Sequence, residues 1–304
     1  MTRHLGLDLG GTFIKTAVLE IADGETAIVS TGSTRTDAEG GPLVVIERLI
    51  EAGKGAIAEH GPVATVGLGV PGLFDRESGT IELFPNLPGP WQGQPIRRPL
   101  EEALGLPVAL INDARAFSLA EATLGAGRGC ETVVCLTLGT GVGGGVVIDG
   151  KVRLGAWGKA GEIGHQIVQA DGAECGCGNR GCVEALTKAD VLTSLAGKET
   201  VEEVYRTAAA GDSRSVAAIE TVADWLAIGL ANTIATLGPD RIVIGGGIVA
   251  AGDAALEPIR RHVRSRVTLV PADEIQIVAA ELGPMAGAVG AALAPLSAQA
   301  VRAR

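Results

Sequence analysis

Apolar and polar residues alternate from Leu5 to Leu19 around a Gly10-Gly11 pair, which predicts a β-hairpin with a glycine turn. Leu43 to Glu59 carries helical spacing, and Thr65 to Val70 is a strand stopped by Pro71-Gly72. Val108 to Ile111 is a short apolar strand running into Asn112-Asp113, followed by the helix-prone stretch ARAFSLAEATLG. Thr132 to Leu138 and Gly145 to Ile148 make a second glycine-centred hairpin. Helices follow over Val201 to Ala210 and Ser215 to Leu237, the latter ending at Gly238-Pro239 as helices often do. Arg241 to Ile244 is a strand leading into Gly245, Gly246 and Gly247. A helix over Ala254 to Val267 and a strand at Ile275 to Ala279 close the pattern. Strands alternating with helices specify an α/β protein.

The two hairpins resemble each other. Leu7-Asp8-Leu9-Gly10-Gly11 aligns with Leu136-Thr137-Leu138-Gly139-Thr140 at an offset of 129, and the same offset pairs Ala17-Val18-Leu19-Glu20 with Val146-Val147-Ile148-Asp149. This implies an internal duplication at domain scale. A chain of 304 residues is comfortable for two domains at about 150 residues each. No low-complexity linker separates them, so they are expected to pack closely around a cleft. Leu282 to Val301 is Ala-rich with Pro284 and Pro295 inside, and reads as a buried helix rather than a membrane span.

With 46% apolar residues and only 3% aromatic, the core must be built from Ala, Val, Leu and Ile. The 25 basic against 35 acidic residues give a net charge of −10 without a long basic run, which argues against a nucleic-acid or anionic-membrane partner. The N-terminal MTRHLGLDLGG has no apolar segment of signal-peptide length, so a reducing cytoplasm is the expected location.

Three of five cysteines fall within eight positions, Cys175, Cys177 and Cys182, with His165 upstream. Three thiolates and a histidine form the ligand set of a closed tetrahedral zinc site. An odd cysteine count makes disulfide pairing the weaker reading. Glu162 and Glu184 flank the presumed metal, and the choice between an inert staple and a metal loop that aims polar side chains stays open on these residues alone.

Three glycine clusters follow apolar strands: Gly10-Gly11-Thr12, Gly139-Thr140-Gly141, and Gly245-Gly246-Gly247. Glycines there let backbone N–H groups approach phosphate, with Thr12, Thr140 and Lys15 as further donors. Asp8 is a candidate magnesium ligand. None of the loops has Walker A spacing or a clean Rossmann fingerprint, but jointly they point to a nucleotide lying between two halves. The Asn112-Asp113 pair alone reads as a helix N-cap.

Together DLGGTFIK, LINDA, LTLGTGVGGG, GEIGH, CGCGNRGCVE and IVIGGGI resemble the ROK family of bacterial sugar kinases and repressors across essentially the whole chain. The resemblance implies a two-domain actin/hexokinase-like (ribonuclease H-like) α/β fold with duplicated β-hairpin phosphate loops and an active-site cleft. Its domains would be residues 1–114 with a C-terminal helix at about 285–304, and residues 115–284 with the zinc loop. It implies ATP-dependent phosphorylation of a hexose, glucose first, with fructose, N-acetylglucosamine, N-acetylmannosamine or allose as alternatives and polyphosphate as another possible donor. Asp113 would be the general base. Asn112, Asp113, Glu162, His165 and Glu184 would read the sugar, with Gly72 and Asn86 on the opposite lip. Asp8 (through Mg²⁺), Gly10, Gly11, Thr12 and Lys15 would serve the first phosphate loop, Gly139, Thr140 and Gly141 the second, and Gly245 to Gly247 the adenosine. His165, Cys175, Cys177 and Cys182 would hold structural zinc. Family repressors carry a DNA-binding region ahead of the first loop, for which the seven residues before Asp8 leave no room. A homodimer or homotetramer is the expected assembly.

Overall fold

A computed structural model of the chain describes residues 1–84 and 87–302. β1 (Thr2–Leu9) and β2 (Phe13–Ala22) form the first hairpin, paired from Thr2↔Ile21 to Leu9↔Ile14. β3 (Glu25–Arg35) extends it antiparallel. This strand is largely exposed and lacks an apolar stripe, so hydrophobic periodicity does not reveal it. α1 (Gly41–His60) leads to β4 (Thr65–Val70), which lies parallel to β1. A small ribbon of β5 (Leu73–Phe74) and β6 (Ile81–Leu83) precedes α2 (Arg97–Leu104) and β7 (Val108–Asn112). The finished sheet has order β3-β2-β1-β4-β7. α3 (Asp113–Thr123) starts directly from the end of β7.

β8 (Thr132–Leu138) and β9 (Val142–Ile148) form the second hairpin, with β10 (Lys151–Val152) at its edge. β9 begins at Val142, not Gly145. Its glycines sit in the strand because residues 161–164 lie against it: a Cβ on Gly144 would stand 2.7 Å from the Gly161 carbonyl oxygen. α4 (Val183–Thr187), α5 (Ala189–Ala196), α6 (Val201–Ala209) and α7 (Ser213–Leu237) follow. α7 ends where Gly238 turns left-handed at φ 52°, a conformation glycine adopts without strain. β11 (Arg241–Gly245), α8 (Asp253–Arg264) and β12 (Gln276–Ala279) complete a sheet of order β10-β9-β8-β11-β12. Both sheets thus contain an antiparallel hairpin whose first strand is joined by parallel strands, as duplication implies. α9 (Ala286–Arg302) ends the described chain. No described helix is long and apolar enough to cross a membrane.

The chain divides into two compact units. One comprises Met1–Gly125, Gly150–Val152 and the segment from Leu282; the other comprises Ala126–Asp149 and Arg153–Glu281. The boundary expected at residue 114 would cut α3 away from the first unit. It stays there because α9 seats against it: a Cβ on Gly290 would lie 1.7 Å from the Ala116 carbonyl oxygen. The same helix touches the sheet backbone at Gly6 and Gly67, where a Cβ would meet the Ala288 and Ala291 carbonyl oxygens at 1.9 and 1.7 Å. Leu5, Leu7, Leu9, Val45, Leu49, Val66 and Leu68 form the core beneath α1. β1 is therefore buried on both faces.

Asp8 lies on the face that alternation would assign to solvent. It is only 8% exposed, and Gly69 and Gly287 make room for its carboxylate. Burial pushes its pKa up to about 6; Lys15, 3.8 Å away, opposes this shift and the nearby charge of Asp113 adds to it.

Gly67→Ala is expected to cost more than about 3 kcal/mol, because the obstacle is helix backbone rather than a movable side chain. Gly55→Ala, in open space on α1, is expected to stabilise by up to about 1 kcal/mol through helix propensity. Urea denaturation of both variants checks the contrast, and equal effects would refute it. For Asp8, a folded-state pKa above the ordinary 3.8 means that ionisation opposes folding. The advantage of the neutral carboxyl is full below about pH 4 and is lost as pH rises through about 6. Asp8→Asn should match the parent near pH 4 and exceed it by up to about 3 kcal/mol above pH 7. A stability difference that does not change with pH would contradict this account.

Candidate functional site

In the second unit, the turn Ile163–His165 is set by the His165 N–H donating to the Glu162 carbonyl at 3.0 Å. Gly164 permits this turn to rest on β9, since a Cβ there would stand 2.0 Å from the Val142 carbonyl oxygen. The cysteine loop folds on its own backbone. Cys175 N–H donates to Asn179 O at 2.8 Å, Gly178 N–H to Cys175 O at 3.0 Å, and Gly181 N–H to Ala173 O at 2.7 Å. Cys182 then forms the N-cap of α4.

These turns gather His165, Cys175, Cys177 and Cys182 so that one donor atom from each lies within 4.8 Å of the others. Cys177 Sγ and Cys182 Sγ are 3.7 Å apart, and Cys175 Sγ is 3.6 Å from His165 Nδ1. A tetrahedral site with metal–sulfur bonds of about 2.3 Å has sulfur–sulfur edges of about 3.8 Å, so these donors already stand at the right spacing for a cation. Burial pushes the Cys182 thiol up to about 12. A cation is what would convert such a group to thiolate. With Nδ1 facing the sulfurs, Nε2 of His165 is the ring nitrogen left to meet another partner.

Glu184, on the first turn of α4, reaches two ways. Its Oε2 accepts the Val142 N–H at 2.9 Å, and its Oε1 accepts from the Cys175 thiol at 3.6 Å. The second glycine loop is also held by Gly139, whose N–H donates to Gly141 O at 3.0 Å and whose carbonyl accepts from Ala189 N–H at 2.8 Å. The third cluster lies beside it. Gly246, at φ 95°, could carry no Cβ without meeting the Leu138 carbonyl oxygen at 2.2 Å. Gly139, Thr140, Gly141, Gly245, Gly246 and Gly247 thus form one backbone-rich region, with Glu184 behind it.

In the first unit, the turn at Gly10, Gly11 and Thr12 is closed by Gly10 N–H donating to Phe13 O at 3.0 Å. Thr36, fully buried, braces this loop: its hydroxyl donates to Gly10 O at 2.7 Å and its N–H to Thr12 O at 3.0 Å. Nothing in the sequence pattern singles out Thr36. Asp8 and Lys15 are cross-strand partners just below the turn.

Asn112 is both N-cap and tether. Its Oδ1 accepts from Ala114 N–H and Arg115 N–H, and its Nδ2 donates to Gly72 O at 3.3 Å. Asp113 follows as the first residue of α3, exposed and close enough for its charge to act on Asp8. The geometry therefore unites Asp8, Lys15, Gly72, Asn112 and Asp113 in one unit and Glu162, His165 and Glu184 in the other. Asn86 lies outside the described residues.

The sequence profile of the ROK family matches residues 4–296. A glucokinase from Streptomyces coelicolor is 35% identical, covering 95% of this chain and 96% of its own. A ROK hexokinase from Thermus thermophilus superposes with a TM-score of 0.84 at 38% identity, over 98% of this chain and 100% of that one. A ROK family glucokinase from Streptomyces griseus, solved with glucose and AMPPNP, gives a TM-score of 0.79 at 34% identity, over 97% and 99%. The fold is the actin/hexokinase-like one expected from the sequence, and the chain belongs to the ROK family.

Proposed function

We propose that this protein is an ATP-dependent hexose kinase that converts glucose to glucose 6-phosphate. The observation that carries the reading is the exposed Asp113 at the start of α3, grouped in one unit with the first glycine loop and the Asp8–Lys15 pair. The glucokinase relatives and the glucose- and AMPPNP-bound neighbour support the choice of substrates.

Phosphoryl transfer needs alignment and charge neutralisation more than covalent help. Asp113 accepts the proton of the sugar hydroxyl as its oxygen attacks the γ-phosphorus; the bond from that phosphorus to the bridging oxygen breaks, and ADP leaves. Asn112 sets the carboxylate's position by capping the same helix, and the N-terminus of α3 favours negative charge there. Backbone N–H groups of Gly11 and Thr12 in the first loop and of Thr140 and Gly141 in the second donate to phosphate oxygens, the amides of Gly10 and Gly139 being used to close the two turns, and Lys15 adds positive charge. Asp8 is suited to hold Mg²⁺, which supplies charge neutralisation when bound.

Glu162, His165 and Glu184 read sugar hydroxyls. A hydroxyl missing at any of them would strand a desolvated polar group, which is how such a site rejects the wrong hexose. We read the cysteine cluster as a zinc site whose work is positional. With Nδ1 held by the metal, the Nε2–H of His165 has a fixed direction.

Asp113→Asn is expected to lower kcat by at least about a hundredfold while retaining glucose binding, measured by coupled ADP release and by calorimetry. Near-normal turnover would remove Asp113 as base. Elemental analysis should find about one zinc per chain, and Cys177→Ser should lower both zinc content and glucose affinity. Full activity in protein free of metal would refute the positional role of the cluster.

A further inference from the structure

Sugar-reading residues and phosphate loops are ordinarily treated as separate parts, but one side chain in the second unit touches both. Glu184 Oε2 accepts the N–H of Val142, the residue that ends the second glycine loop and opens β9. The fit is close: a Cβ on Gly141 would stand 2.7 Å from that same oxygen. The other oxygen, Oε1, faces the cysteine cluster at 3.6 Å from Cys175 Sγ. The chain just beyond the helix bearing Glu184 is tied to the loop a second time. Lys188 N–H donates to Glu184 O at 3.1 Å, and the adjacent Ala189 N–H donates to Gly139 O at 2.8 Å.

The loop is therefore gripped at both ends by one short stretch of chain. Gly139 N–H is taken by Gly141 O and Val142 N–H by Glu184. Among the described residues, the amides of Thr140 and Gly141 donate to no protein acceptor, so the grip leaves two donors for a phosphate oxygen. A carboxylate suits this post because it is an acceptor only, with lone pairs on both oxygens. One oxygen can hold the loop amide while the other takes a substrate hydroxyl. The cysteine loop leads directly into its base, since Cys182 occupies the N-cap position of the helix that carries it.

We propose that Glu184 is a positioning residue that couples hexose binding to the shape of the second glycine loop, so that hexose and ATP each tighten the other. The idea rests on the hexose-kinase reading and adds a linkage to it. A hydroxyl donating to Oε1 restrains the carboxylate, and the restrained carboxylate holds Val142 and thereby the two free amides. Because linkage is reciprocal, the same bond must raise hexose affinity when nucleotide is bound.

Titration calorimetry of AMPPNP with and without glucose measures the coupling directly. In the parent protein, glucose is expected to tighten AMPPNP by at least about fivefold. Gly141→Ala leaves the cluster ligands and Glu184 in place but pushes Oε2 off the Val142 amide. It should bring the coupling close to one and weaken glucose binding by about tenfold, the scale of one lost hydrogen bond to a charged group. Glu184→Gln keeps an acceptor for Val142 and should retain most of the coupling while raising the KM for glucose. Glu184→Ala should raise the KM for both substrates, provided zinc content and melting temperature match the parent; if they do not, the Gly141→Ala result decides. Unchanged coupling in Gly141→Ala, or an Glu184→Ala protein with intact zinc and a raised KM for glucose only, would overturn the proposal and leave the kinase reading standing. A parent protein that phosphorylates no hexose would overturn both.

Discussion

The approach of α9 to the first sheet is the constraint on which the first unit depends. At Gly6, Gly67 and Gly290, backbone lies against backbone with no room for a single methyl group. Such contact brings helix and sheet closer than side chains would allow, and it fixes their register because carbonyl oxygens cannot be displaced as rotamers can. Two features of the candidate site follow. α3 is held against α9, which determines where Asn112 and Asp113 emerge from β7. The close approach also buries Asp8, whose carboxylate occupies the space left by Gly69 and Gly287. A carboxyl with a pKa near 6 at the end of a central strand opposes folding at neutral pH. A rule of local consistency broken at one residue commonly marks a functional position, and Asp8 is such a break.

The second unit uses the same device without a long helix. Gly144 and Gly164 let the Glu162–His165 segment lie on β9, and Gly246 lets the end of β11 abut Leu138. An unusually glycine-rich strand is the result. Its stability comes from the covering segment and from pairing with β8, since glycine contributes little packing of its own. The chain's 45 glycines therefore do two jobs. Some free backbone amides for a ligand, and others allow the close approaches that put those amides in place.

Much of this was legible in the sequence where a local signal and a buried face agreed. Both hairpins, the strand from Thr65 to Val70 and the helix after Asn112-Asp113 are marked by turn glycines, by proline or by capping residues. β3 escaped because its exposed residues show no period. The start of β9 escaped because Gly143 and Gly144 read as turn residues, and only the tertiary cover from Gly161 to Ile163 makes them a strand. Asp8 stands out in the sequence as a candidate site residue, but its burial does not, because alternation assumes one wet face and β1 has none. The spacing of His165, Cys175, Cys177 and Cys182 makes their clustering readable, since those residues are close in the chain and bring their own turns. The bracing of the first loop by Thr36 and the bond from Glu184 to Val142 join residues 26 and 42 positions apart. No periodicity encodes contacts of that separation.

The cysteine cluster gains a physical rationale from its neighbours. A short helix such as α4 has little cooperative stability of its own, and a loop of glycines and exposed polar residues has less. Yet this is the stretch that must hold a carboxylate at bonding distance from the Val142 amide. A tetrahedral metal site concentrates large binding energy in a few residues and needs no hydrophobic core. On the zinc reading proposed above, such a site would add to the burial of Cys182 and Val183 in fixing Glu184. On that reading, metal binding at the cluster and hydrogen bonding at the glycine loop would be successive steps of one positioning chain.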